Sequence, residues 1–133
     1  MPEIVPGLAN EMQFIVEREH TAQHLGSGGV LVLATPMMIM WMERTSRGVV
    51  EPLLPEGQLT VGSHVDVRHL APTPVGMKVK LRSELLAVDG RKLTFRVEAR
   101  DEREKIGEGV HERFIVDVER FGRRVKEKSE PGN

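Results

Sequence analysis

Three side chains in this sequence could together attack a carbonyl: the hydroxyl of Thr35, the carboxylate of Glu43 and the imidazole of His69. A threonine hydroxyl is a poor nucleophile until a base takes its proton, and a histidine base works best when a carboxylate orients it. His69 falls in phase with Leu59, Val61, Val65 and Val67 in an alternating segment, so its ring points to the buried side. A base can be kept there, and so can a core histidine satisfied by one hydrogen bond. Glu43 follows Pro36, Ile39 and Met40 at helical spacings, on an apolar stripe. A carboxylate in that place needs a partner, either in an active site that perturbs it or in a helix-end ion pair with Arg44 or Arg47. Thr35 has a structural alternative as well, since a hydroxyl just before a helix caps it. Eight residues separate Thr35 from Glu43, which is ~12 Å of helix rise. The two therefore flank a site, or belong to sites shared across a dimer.

The first amides of the same helix, those of Met37 and Met38, are expected to point outward unpaired at the positive end of the dipole, where a substrate carbonyl would be polarised. Gly62 lets a substrate or another backbone come close, and equally suits a bulge or bend. His20 and His24 could ligate a metal only if their segment were helical. No HExxH pattern or third ligand accompanies them, so a loop or capping role is the reading and no metal site is assigned. His64 is out of phase and reads as surface. Gly26-Ser27-Gly28-Gly29 lacks the lysine of a phosphate-binding loop and reads as a mobile entrance loop. Met37, Met38, Met40 and Met42 with Trp41 form a run that suits a core or a pliable acyl pocket.

The elements that must hold these groups follow from punctuation and period. Met12 to Glu17 reads as a short strand and His20 to Gly29 as a glycine-rich loop. Pro36 suits the first turn of a helix capped by Thr35 and ending near Gly48, apolar on most sides. From Gln58 the period is two, with Leu59, Val61, Val65, Val67 and His69 on one face. After a turn at Pro72 to Gly76, Met77, Val79, Leu81, Leu85 and Ala87 alternate with charged residues. Asp89-Gly90 signals a type I′ hairpin. Leu93, Phe95, Val97 and Ala99 then face inward, and a last strand from about Ile106 to Val118 places Val110, Phe114, Val116 and Val118 on its apolar face. A sheet with one apolar face needs a cover, and one helix is available. The expected class is α+β, an antiparallel sheet wrapped round one long helix, with an unpaired edge strand that favours dimerisation.

The chain has 133 residues, which fits one domain over positions 1–133, because single cores usually serve roughly 100 to 200 residues. The tail from about Arg123, rich in charge and carrying Pro131-Gly132, is expected to fray. Hydrophobic residues make up 39% of the chain, so it folds. With 19 basic and 20 acidic residues mixed along it, no basic field exists for nucleic acid or an anionic membrane. No apolar run approaches the ~20 residues that span a bilayer. The absence of cysteine removes disulfides, thiolate metal sites and a cysteine nucleophile, and is compatible with a reducing compartment. A cytoplasmic protein is expected.

Several motifs in order carry a family resemblance: HTAQHL from His20, ATPMMIMWMERTS from Ala34, VGSHVDVRHLAPTPVG from Val61 and IGEGVHERFIV from Ile106. Together they resemble the fluoroacetyl-CoA thioesterase branch of the hotdog superfamily, over most of the chain. The resemblance implies the hotdog fold and hydrolysis of an acyl-CoA thioester, with coenzyme A entering as part of the substrate and no further cofactor. It implies a catalytic set of Thr35, Glu43 and His69, with Gly62 and Arg113 associated with substrate. Arg113 falls on the polar phase of its strand, so a structural ion pair is its alternative. Where the fluoroacetyl-specific enzyme has an aromatic lid, this chain has GSGGVLVL from Gly26, without a Phe, which implies a short or medium acyl-CoA substrate in general. A homodimer is expected and a higher oligomer is open. Two other readings of the same layout are an enoyl-thioester hydratase or dehydratase and a non-catalytic acyl-CoA binding module.

Overall fold

The computed structural model describes residues 3–131. The apolar faces of its strands are covered by one 16-residue helix, α2 (Thr35–Val50), whose Met38, Trp41, Met42, Val49 and Val50 are buried. The strands are β1 (Ala9–Ile15), β2 (Gln58–His69), β3 (Lys78–Asp89), β4 (Lys92–Arg100) and β5 (Lys105–Asp117). They form an antiparallel sheet in the order β1-β3-β4-β5-β2. Val79, Leu81, Leu85, Leu93, Phe95, Val97 and Ala99 supply the sheet side of the core. This is the α+β, sheet-round-a-helix layout implied above. Burial of Trp41 is completed by Phe14 of β1, stacked with ring centroids 4.7 Å apart. One polar pair crosses the core, Ser46 Oγ to Ser83 Oγ at 2.7 Å, tying α2 to β3. Both hydroxyls are thereby satisfied, since Ser46 also bonds the Met42 carbonyl.

Several expectations are corrected here. The first strand starts three residues earlier and ends two earlier than read, because its register is fixed by pairing with β3 from Ala9↔Glu84 to Ile15↔Lys78. The segment after it is not all loop: Arg18–His20 forms a 3-10 turn, and α1 (Ala22–Leu25) is capped by Thr21, whose Oγ1 accepts the His24 N–H. The helix α2 runs through Gly48 to Val50. The hairpin turns on Gly90-Arg91, not Asp89-Gly90, and only Gly90 takes a positive φ, 61°. The tail is a third helix, α3 (Val118–Ser129), continuing from β5; positions 132 and 133 lie outside the described residues. No helix among the described residues is long and apolar enough to cross a membrane.

The phases of β2 and β5 are the corrections that matter for chemistry. On β5 the side chains facing the helix are those opposite the apolar row of β4: Leu93↔Arg113, Phe95↔His111, Val97↔Gly109 and Ala99↔Gly107. The inner face is therefore Gly107, Gly109, His111 and Arg113, while Phe114 and Val118 are exposed at 39% and 46%. Gly107 is small for a reason, since a Cβ there would stand 2.5 Å from Met38 Sδ. On β2 a bulge between Gly62 and His64 shifts the register by one residue. Val65, Val67 and His69 pair with His111, Gly109 and Gly107 and share the helix-side face as expected, although Val65, on the edge strand, stays exposed. Upstream of the bulge the inner residues are Thr60 and Gly62, not Leu59 and Val61.

Candidate active site

Thr35 opens α2, and its hydroxyl does not cap it. The N-cap is Ala34, with no side-chain cap bond. Thr35 is exposed, and its Oγ1 lies 2.7 Å from His69 Nδ1, at the last residue of β2. The cap reading of Thr35 is thus replaced by a hydroxyl–imidazole pair, a nucleophile and base within hydrogen-bond reach. Burial pushes His69 below the ordinary histidine pKa of 6.5, so the ring is neutral at pH 7 and free to accept a proton. Its Nε2 is buried and meets no partner in the chain among the described residues.

The pair lines a cleft of about 370 Å³ with Ala22, Ser27, Gly28, Val30, Leu33 and Ala71. Its walls are small or aliphatic, as a pocket for an acyl chain must be. Ser27 and Gly28 of the glycine-rich stretch after α1 form part of this wall.

The Met37 and Met38 amides do not stand free. Both donate to the Ala34 carbonyl, at 3.1 and 3.0 Å, and the Met38 side chain is wholly buried. The expectation that they hold a carbonyl is corrected: a tightened first turn satisfies them. Pro36 has no N–H, which leaves the Thr35 amide as the helix-end donor for which the described residues supply no backbone acceptor.

Glu43 belongs to a second cluster. A Cβ placed on Gly62 would meet Glu43 Oε2 at 3.3 Å, His111 Cε1 at 3.3 Å and Arg113 Nη1 at 3.4 Å. These four residues therefore converge halfway along β2, while Thr35 and His69 meet at its end. Of the two roles read for Gly62 the bulge is present, between Gly62 and His64, and the groups that come close to it are side chains, not another backbone. Arg113 is buried, 6% exposed, and not on a polar face. Its Nε donates to Thr60 Oγ1 at 2.8 Å, its Nη2 to the Thr60 carbonyl at 2.9 Å and its Nη1 to His111 Nε2 at 3.2 Å. It forms no ion pair among the described residues, so the ion pair read as its alternative is not formed. Burial lowers its pKa and the charge of Glu43 pulls the other way. The ion pairs read for Glu43 are not formed either; Arg47 pairs with Glu51 at 2.7 Å.

Two members of this cluster escape a hydropathy reading, His111 and Thr60. The signal for His111 lies in the spacing of Gly107, Gly109, His111 and Arg113, small or polar residues at period two on a strand whose alternate residues are largely apolar. Of the other histidines, His20 accepts the Glu17 N–H at Nδ1, 2.9 Å, and lies edge-on to Trp41. It falls close to Glu17 and Glu19 in an exposed group with nothing further to mark a ligand.

A profile for fluoroacetyl-CoA-specific thioesterases matches residues 16–119. The fluoroacetyl-CoA thioesterase of Streptantibioticus cattleyicolor is 38% identical over 101 residues, 76% of this chain and 73% of that protein. The solved structure of the fluoroacetyl-CoA thioesterase FlK superposes with a TM-score of 0.90 at 32% identity, covering 97% of this chain and all of that one; a variant of it has been solved with acetyl-CoA. A Thermus thermophilus member of the thioesterase superfamily gives 0.85 at 34% identity, over 96% of this chain and 97% of its own.

Proposed function

Because this chain belongs to the fluoroacetyl-CoA-specific thioesterase family, we propose that it hydrolyses a short or medium acyl-CoA thioester at sites completed by two copies of the chain. The observation that carries this is the 2.7 Å contact of Thr35 Oγ1 with the neutral imidazole of His69 at the mouth of an aliphatic cleft. In the reaction Thr35 gives its proton to His69 Nδ1 as its oxygen attacks the carbonyl, and that proton leaves with the coenzyme A sulfur. Water, deprotonated by the same imidazole, then releases the acid and restores Thr35. The Thr35 amide, at the positive end of α2, polarises the carbonyl oxygen. The scheme needs no metal and no cofactor beyond the coenzyme A of the substrate.

Glu43 enters from the second copy. Within one chain it sits with Gly62 and Arg113, and His69 Nε2 lacks the group that would orient it. The outer edge of β2 is unpaired in the sheet order, Val65 on this strand is exposed at 41%, and Met40 on α2 is exposed at 44%. Joining two such edges in a homodimer covers these residues and lays the Gly62–Arg113 corner of one copy over the Thr35–His69 cleft of the other. Glu43 of the partner subunit then orients the imidazole, and Arg113 of the partner subunit holds the substrate beside it. A cysteine-free chain of this kind suits a reducing compartment, the cytoplasm.

The test is thiol release across an acyl-CoA panel by the wild type and by T35A, E43Q and H69A. Each variant should lose hydrolysis while keeping the fold. Full activity in all three would remove the assignment, water addition to crotonyl-CoA without thiol release would make the protein a hydratase, and tight binding of unhydrolysed acyl-CoA would make it a binding module.

A further inference from the structure

The second cluster contains a group that the thioesterase scheme leaves unused. His111 is 1% exposed, in the middle of β5, with its ring 6.4 Å from that of Phe95. Its Nδ1 lies 2.8 Å from the carbonyl of His64, at the bulge of β2, and its Nε2 lies 3.2 Å from Arg113 Nη1. A carbonyl can only accept and a guanidinium can only donate. The two neighbours therefore fix the ring as the neutral form with the proton on Nδ1 and a bare lone pair on Nε2. Thr60 holds the Nε and Nη2 of Arg113, so among the described residues the one hydrogen bond left to fix Nη1 is that to His111. Nη1 is also the nitrogen beside Gly62, where the open space borders Glu43 Oε2.

We propose that His111 is a positioning residue for the reaction, holding the Nη1 corner of the buried Arg113 guanidinium in place beside Gly62 and Glu43 through its Nε2 lone pair. The inference rests on the thioesterase reading and assigns a part to a residue outside its catalytic set. The bulge has a function in it: it places the His64 carbonyl where it fixes the tautomer. Protonation of Nε2 would set N–H against N–H and a second cation beside Arg113. Around the ring stand Arg113 on its own strand, Glu43 on α2 and the exposed His64 on β2; burial, first, and the Arg113 charge keep it neutral against the opposing pull of Glu43 and of the His64 carbonyl.

The experiment compares H111N, which keeps an amide toward His64 but has nothing at the Nε2 position, with H111Q, whose amide oxygen reaches that position. Hydrolysis by H111N should fall about tenfold to a hundredfold, the size of a lost hydrogen bond to a charged group, and H111Q should restore it to within about threefold of wild type. In an R113Q background H111N should cause no further loss of activity, although it still lowers stability. Equal losses in H111N and H111Q, or an undiminished H111N effect without Arg113, would overturn the proposal. Should H111N not fold, nitrogen NMR of the wild-type ring decides: Nδ1 protonated and Nε2 bare is the expected state, and a protonated Nε2 refutes it. Failure of the underlying reading is separable, because T35A and H69A would then keep wild-type hydrolysis.

Discussion

Replacing Gly62 by alanine adds one methyl group at the point where Glu43, His111 and Arg113 converge. The new Cβ would stand 3.3 Å from Glu43 Oε2, 3.3 Å from His111 Cε1 and 3.4 Å from Arg113 Nη1. Gly62 is not among the glycines of positive φ, so the backbone accepts alanine without strain. The carboxylate is the far end of a flexible side chain and gives way by a few tenths of an ångström, whereas the ring and the guanidinium are held by their hydrogen bonds. The folding effect is then small: a gain of about 0.4–1 kcal/mol from the stiffer unfolded chain, offset by crowding of similar size. Catalysis is more sensitive, because misplacing a reacting group by ~1 Å can cost about a hundredfold. G62A is expected to unfold in urea within about 1 kcal/mol of wild type and to lose about tenfold to a hundredfold in thiol release. As a control, Gly122 on α3 has nothing within 4 Å of its added Cβ, so G122A should leave hydrolysis unchanged and stabilise the helix by up to ~1 kcal/mol. Wild-type turnover by G62A would refute the argument that this corner works on the substrate.

Two further outcomes are expected. Since Thr35 is exposed and does not cap α2, T35A should leave stability within ~0.5 kcal/mol of wild type, where a lost cap would cost about 1 kcal/mol. Its hydrolysis should fall about a hundredfold or more, while T35S keeps most of it; the reverse pattern in urea titration and thiol release would return Thr35 to a capping role. The pH dependence follows from two histidines held below 6.5 by burial. The unfolded chain takes up protons at these rings near pH 6.5 and the native chain does not. Stability is therefore fully present above that value and declines as pH falls below it. Hydrolysis should rise through a midpoint below 6.5 and level off by neutrality; a midpoint above it would mean that His69 is held as a cation.

How far the sequence could be read depended on what each strand had to face. Where the inner face is apolar, as in Leu93, Phe95, Val97 and Ala99, alternation gave the orientation correctly. On β5 the inner face carries Gly107, Gly109, His111 and Arg113, so the apolar alternation of Val110, Phe114 and Val116 marks the outer face and the same rule inverts. A site-facing strand is polar on the inside, and hydropathy cannot recognise that. On β2 the bulge at Gly62 breaks one phase into two, which leaves His69 correctly placed and Leu59 and Val61 misplaced. The approach of His69 to the start of α2 was legible, since its phase on β2 turns the ring inward, and 2.7 Å separates it from Thr35 Oγ1; that Thr35 does not cap the helix was not legible, because an N-cap and a nucleophile call for the same hydroxyl. The third helix was missed because Val118, Phe121 and Val125 recur at helical spacing on a stripe that stays exposed, surrounded by charge that reads as a solvated tail.

The central claim is that Thr35 and His69 of one chain work with Glu43 of the partner subunit. Co-expression of T35A and E43Q chains, each inactive as a homodimer, tests it most directly through thiol release from the whole purified dimer population. Half of the randomly paired dimers are mixed, and each holds one intact site of two, so about a quarter of wild-type activity is predicted to return. Activity no higher than that of either parent would show that Glu43 does not reach the cleft across the dimer.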